Sequence, residues 1–303
     1  MASITNLDAR MGPVEIDRRA DMGSRSVRTE AIDVVESGRI LLLRDVGFEL
    51  TAQERELILD KEVIMPGQTE RDSRTGRPTL IFDPERGSFE RTKIQGEARR
   101  EIEAMMQRFT AWADNIISTL FRSYRPALER ERATYRPCVR NTPQGMHIDT
   151  SYKYPSQGRG MLRIFCNINP SGQPRVWQIG EPFEPFVSRF LPSTSRLSSW
   201  RDWVLHCLGG ARVRRTRTPY DRLVADIRRL AKSDDQYQKT APRQLVEFPA
   251  GSSWIALTDL AVHGAISGQH SLDQTFFLPV SAMREPERSS LHILERMTGR
   301  ALV

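Results

Sequence analysis

Beyond Pro126 the chain is cut into short segments rich in β-branched and aromatic residues: ATYRPCV, MHIDTSY, MLRIFCNI, RVWQI, QLVEF, SSWIALT and QTFFLPV. Each has strand length, and turn formers separate them, so this half must close into a sandwich or barrel of short strands. Two helical patterns interrupt the series, predicting a helical insertion at about 185–240. One lies around residues 200–208, closed by Gly209 and Gly210. The other spans 219–232, with Thr218 as N-cap and Leu223, Val224, Ile227 and Leu230 on one face.

The N-terminal half reads differently. Residues 1–36 are polar and irregular, an arm rather than an element, and 39–47 (GRILLLRDV) is a buried strand. Thr51 and Glu54 have capping-box spacing before a helix that carries Leu57 and Ile58. The turn-rich stretch 66–95 predicts loop with short strands. From Gly96 to Arg122, Ile102, Met105, Met106, Phe109, Trp112, Ala113, Ile116 and Leu120 recur at helical spacing, which predicts a long amphipathic helix with one core face. A last helix is expected near 287–297, ending at Gly299. The expectation is α+β: one domain over 37–303, with helices backing a C-terminal β core.

No run approaches eighteen apolar residues, which excludes an apolar helical span. The polar N-terminus does not read as a secretory signal. Cys138, Cys166 and Cys207 are scattered and unpaired, which favours a reduced, intracellular protein. The net charge of +7 points to an anionic partner: nucleic acid, phospholipid or acidic sugar. Arg212, Arg214, Arg215, Arg217 and Arg222 form the sharpest basic cluster.

Within MHIDTSY, His147 and Asp149 are two residues apart and project from one face of a strand. An imidazole and a carboxylate side by side are two corners of a two-His-one-carboxylate site, which leaves coordination positions open for a cosubstrate. An HxD pair also arises by chance, and a satisfied structural histidine is the bland alternative. The third corner must be another histidine. His206 falls on the helix at 200–208 and His292 on the terminal helix, which leaves His263 and His270. His263 is favoured, because it follows the turn and strand FPAGSSWIALTDLAV and is backed by Gly264 and Ala265. Scattered cysteines do not supply structural zinc, and Fe(II) suits this donor set better than hydrolytic zinc.

With these residues in place, the sequence resembles the Fe(II)/2-oxoglutarate-dependent dioxygenases. Their HxD and distal histidine on a double-stranded β-helix (a jelly-roll, cupin-like core) map onto His147, Asp149 and His263. More narrowly, GMHIDTSYKYPSQGRGMLRIFCNINPSGQPRVWQIGEPFE and DLAVHGAISGQHSLDQTFFLPV resemble the Kdo hydroxylase family, from about residue 38 onward. That resemblance implies hydroxylation of 3-deoxy-D-manno-octulosonic acid (Kdo) at C3, in the lipid A-linked core of lipopolysaccharide. It also implies Fe(II), molecular oxygen and conversion of 2-oxoglutarate to succinate.

The distal carboxylate of 2-oxoglutarate calls for a cation, preferably an arginine fork. Much of the superfamily places that cation about ten residues past the distal histidine. This chain has Asp273 and Gln274 there. Arg163 is the first choice for the clamp and Arg140 the alternative, with Gln274 and Thr275 as hydrogen-bonding partners. Lys153, Arg159, Arg212, Arg214 and Arg215 are expected to meet the anionic substrate or an anionic membrane surface. The expected location is cytoplasmic, peripheral to the inner membrane. Two rivals stand beside this reading: an oxygenase acting on alkylated nucleic acid, and a non-catalytic module for anionic glycolipids. No run interleaves basic and aromatic residues as a base-stacking platform does, so no nucleic-acid partner is expected.

Overall fold

Alternation along the strands sorts side chains onto two faces, and the computed structural model shows where each face goes. It describes residues 12–16, 21–60, 79–90, 92–137, 144–150, 155–194 and 217–303. The chain runs β1 (Val14–Ile16), α1 (Arg25–Glu36), β2 (Leu41–Leu43), α2 (Ala52–Leu59), β3 (Leu80–Asp83), β4 (Ser88–Phe89), α3 (Gly96–Leu120), β5 (Glu129–Arg136), β6 (Gly160–Asn167) and β7 (Arg175–Ile179). After helical residues 183–194 (α4) come α5 (Pro219–Ser233), α6 (Asp235–Thr240), β8 (Gln244–Phe248), β9 (Ser253–Leu257), β10 (His263–Ser267), β11 (Ser271–Leu278) and α7 (Ser290–Thr298).

The larger sheet has the order β1-β2-β9-β6-β11-β5-β3-β4, and the smaller has β10-β7-β8. All these pairings are antiparallel except β1 with β2. An isolated antiparallel bridge between His147 and His263 adds the HxD segment to the free edge of β10. Two facing sheets connected in this way form the expected jelly-roll core.

One face of the large sheet carries Leu162, Ile164 and Cys166 from β6, Leu272 and Phe276 from β11, Ile255 and Leu257 from β9, and Ala133 and Tyr135 from β5. These pack with the buried stripe of α3, which comprises Ile102, Met105, Met106, Phe109, Ala113, Ile116 and Leu120. Each large side chain contributes roughly 1.5–3 kcal/mol over its exposed state, so the helical layer fixes which face of the sheet turns inward. The opposite face lies between the sheets, where Phe165, Trp177, Phe248 and Trp254 form a second apolar cluster. The rings of Phe248 and Trp254 stack at 4.1 Å.

The capping boxes at Thr51/Glu54 and Thr218/Asp221 form, and Gly299 closes α7 in the left-handed conformation. Residues 25–36 correct the expectation of an irregular arm. Ser24 caps α1, and Ala31, Ile32, Val34 and Val35 bury against the core. Four clustered apolar residues in a polar stretch suffice here because a sheet face is available to them. The helical insertion is present as α4, α5 and α6, whereas the expected helix at 200–208 lies outside the described residues.

Candidate active site

The bridge between His147 and His263 is closed by reciprocal backbone hydrogen bonds, each N–H donating to the other carbonyl at 2.9 Å. The two imidazoles therefore stand side by side, with centroids 5.1 Å apart. His147 Nδ1 lies 2.7 Å from Gly145 O, and His263 Nδ1 lies 2.9 Å from Ala261 O. A carbonyl only accepts, so each Nδ1 carries the proton and each Nε2 keeps its lone pair for a ligand.

Asp149 is held by its own amide, which donates to Thr258 O at 2.8 Å. Its Oδ1 lies 3.6 Å from His147 Nε2, and its Oδ2 lies 3.8 Å from His263 Nε2. One ligand atom from each of the three residues falls within 4.8 Å of the others. A cation about 2.1 Å from each ligand needs them roughly 3 Å apart at right angles, so the set has to draw together around it. Burial lowers both imidazoles, His263 to about 4, which leaves them neutral at physiological pH. Burial alone would raise Asp149, but the Arg163 guanidinium beside it holds it well below the usual carboxylate range. Two neutral imidazoles and one carboxylate are the protonation states that a divalent cation requires.

Beside the triad is a cavity of about 140 Å³, with Phe165, Trp177 and Trp254 in its lining and four arginines, Arg136, Arg163, Arg175 and Arg228. Trp177 lies parallel to His263, centroids 4.7 Å apart. The indole Nε1 atoms of Trp177 and Trp254 are buried without a hydrogen-bond partner. An unmade bond at a buried donor costs about 1–3 kcal/mol, and two such donors on residues that line a cationic cavity fit an acceptor-rich dicarboxylate. The site thus suits both a divalent cation and a cosubstrate of the 2-oxoglutarate type.

The structure brings Arg163 to the triad, where it joins two carboxylates. Its Nη1 donates to Asp149 Oδ2 at 2.5 Å, and its Nη2 donates to Asp273 Oδ1. Its Nε is buried without a partner. Asp273 also accepts from Arg136 Nε at 3.0 Å and from Thr134 Oγ1. Gln274 turns to the helix-facing side of β11, where its Nε2 donates to Glu131 O at 2.6 Å. Thr275, opposite Arg163 across β11 and β6, shares the inward face but does not line the cavity. Arg159 stacks on Phe277 and pairs with Glu129, away from the cavity. Arg140, Lys153, Arg212, Arg214 and Arg215 lie outside the described residues. His270 pairs with the Tyr135 hydroxyl at 2.9 Å and takes no part in the triad.

Sequence reading missed Arg136, Arg175, Trp177 and Trp254. Arg175 and Trp177 are two apart on β7 and so share its inward face, a signal that RVWQI carried once the facing strand was known.

A jelly-roll core with His, Asp and His converging beside a cationic cavity defines the class of non-haem Fe(II)/2-oxoglutarate dioxygenases. The family model of 3-deoxy-D-manno-oct-2-ulosonic acid (Kdo) hydroxylase matches residues 18–301, and the chain belongs to that family. Among solved structures it is similar to the Kdo hydroxylase KdoO, a non-haem Fe(II) 2-oxoglutarate-dependent dioxygenase. That enzyme has been solved with succinate and Fe(III), with 2-oxoglutarate and Fe(III), and with cobalt(II). In each case the TM-score is 0.83 and the identity 28%, over 96% of this chain and 97% of the other. No curated protein matches the chain in sequence. It is an Fe(II)/2-oxoglutarate-dependent Kdo hydroxylase, and its cofactors are Fe(II), 2-oxoglutarate and oxygen.

Proposed function

We propose that His147, Asp149 and His263 are the iron ligands, and that the enzyme hydroxylates Kdo at C3 in the lipid A-linked inner core. The observation that carries this is the convergence of the three ligand atoms beside a cavity lined by four arginines. When bound, Fe(II) supplies oxygen activation coupled to decarboxylation of 2-oxoglutarate to succinate. The chain's own groups do the rest. The backbone bridge orients both imidazoles, and the Nδ1 hydrogen bonds fix their tautomers. Both Nη atoms of Arg163 are engaged by carboxylates, and we assign the cosubstrate clamp to Arg175, which is buried and inward-facing on β7 and is steadied by Nη1 donating to the Gly268 carbonyl. Trp177 and Trp254 supply indole donors to the same ligand and close the floor against water. The substrate is itself a carboxylate sugar, which suits the remaining positive charge at the cavity.

No helix among the described residues is long and apolar enough to cross a membrane. A lipid-linked acceptor would then be met by peripheral contact at the cytoplasmic face of the inner membrane. We assign that contact to the basic residues Arg212, Arg214, Arg215 and Lys153, whereas Arg159 pairs with Glu129 away from the cavity.

Two measurements test the proposal. Anaerobic Fe(II) with 2-oxoglutarate should give a weak visible charge-transfer band, absent in His147→Ala. Mass spectrometry of lipopolysaccharide core from a deletion strain should show Kdo lighter by one oxygen, and an unchanged core refutes the substrate.

A further inference from the structure

We propose that Asp273 is a positioning residue for the metal site, acting through Arg163 to hold Asp149 as a ligand through one oxygen only. The inference rests on the iron-ligand reading above.

Arg163 is buried between two carboxylates that come from distant parts of the chain. One Nη reaches Asp149 Oδ2 and the other reaches Asp273 Oδ1. Arginine prefers to grip a single carboxylate with both arms of its fork. A forked grip on Asp149 would occupy both oxygens and withdraw the residue from a cation. Asp273 prevents this by taking the second arm. It is itself immobile: β11 lies between β5 and β6, and the other oxygen of Asp273 accepts from Arg136 and Thr134. Asp149 is left with Oδ2 tied to Arg163, 3.8 Å from His263 Nε2, and with Oδ1 free of that tie and 3.6 Å from His147 Nε2. A ligand so divided has one oxygen for the metal and one for its brace. Outer partners of this kind are worth about 10–100-fold in metal affinity.

The test is Co(II) titration of the metal-free protein, followed by 2-oxoglutarate titration at saturating Co(II) without oxygen. Asp273→Asn should weaken Co(II) binding about 10- to 100-fold and shift the visible Co(II) bands, while 2-oxoglutarate affinity at saturating metal stays unchanged. If that variant does not fold by near-UV circular dichroism, Thr134→Val removes only the hydroxyl that holds Asp273. It should lower Co(II) affinity in the same direction by a smaller factor. Unchanged Co(II) affinity and spectrum in a folded variant overturn the proposal. So does an unchanged metal affinity with weakened 2-oxoglutarate binding, which would make Arg163 a cosubstrate clamp. Failure of the unmodified protein to bind Co(II) would instead bring down the ligand assignment on which the proposal stands.

Discussion

His147 and His263 are joined main chain to main chain, each amide donating to the other's carbonyl at 2.9 Å. The spacing of the imidazoles is therefore a property of the sheet edge, set before any cation arrives. Replacing either histidine or Asp149 by alanine should abolish succinate release. Metal affinity should fall by more than the roughly 10- to 100-fold typical of outer partners. Circular dichroism and Co(II) titration check both halves, and a variant that still releases succinate would exclude that residue as a ligand.

Gly264 sits beneath this bridge. A Cβ there would meet Gln144 O at 2.5 Å, Gln178 Nε2 at 2.9 Å and Gly145 O at 3.0 Å. Two of these atoms are backbone of the segment that carries His147, so the segment must move. Gly264→Ala should weaken Co(II) binding although the residue offers no ligand atom, and isothermal titration reads the change.

At the cosubstrate end, Arg175→Gln should raise the 2-oxoglutarate dissociation constant by about 10–100-fold, the worth of a charged hydrogen bond of about 1.5–3 kcal/mol. Trp177→Phe removes one neutral donor, so a loss of about 2- to 10-fold is expected. Co(II) affinity should hold in Arg175→Gln. Equal 2-oxoglutarate affinities in variant and parent would place the clamp elsewhere.

Stability toward acid should carry the signature of Asp273. Burial pushes its carboxyl up, but Arg163 and Arg136 pull it down by more, and the net shift is downward. The folded state therefore releases this proton more readily than the unfolded chain does. The stabilisation is complete above the unfolded value of about 3.9 and disappears as pH falls through the lower folded value. Asp273→Asn should lie about 1–3 kcal/mol below its parent near neutral pH, since one arm of a buried guanidinium loses its carboxylate while the other keeps Asp149. The two should converge below about pH 4 in urea melts of metal-free protein. A gap that does not change with pH would contradict the downward shift.

Much of this site was legible in the chain. HxD placed two side chains together and the turn before His263 supplied the third, although residues 144–150 form no strand and join the small sheet through the single bridge at His147. The long helix α3 and the capped α5 were equally legible, since their periodicity and caps are local. Arg163 was read as reaching the site, but its partner Asp273 lies on another strand far along the chain. Only the register that sets Thr275 opposite Arg163 brings the two together. Arg175 and Trp177 stayed hidden for the same reason: a five-residue strand does not reveal which face it turns inward. Helix α1 went unrecognised because its few apolar residues pay off only against a sheet that the sequence does not display.

The proposed ligands and their brace draw on both layers. His147 and His263 hang from the small sheet and its added segment, Asp149 is pinned to Thr258 at the end of β9, and Arg163 and Asp273 hang from the large sheet. A bound cation is thus a gauge of the gap between the sheets. Whatever loosens the Phe248–Trp254 stack should also loosen the ion, and by reciprocity the ion should quiet hydrogen exchange along β6 and β11. Metal loading and the breathing of the barrel are two readings of one free energy.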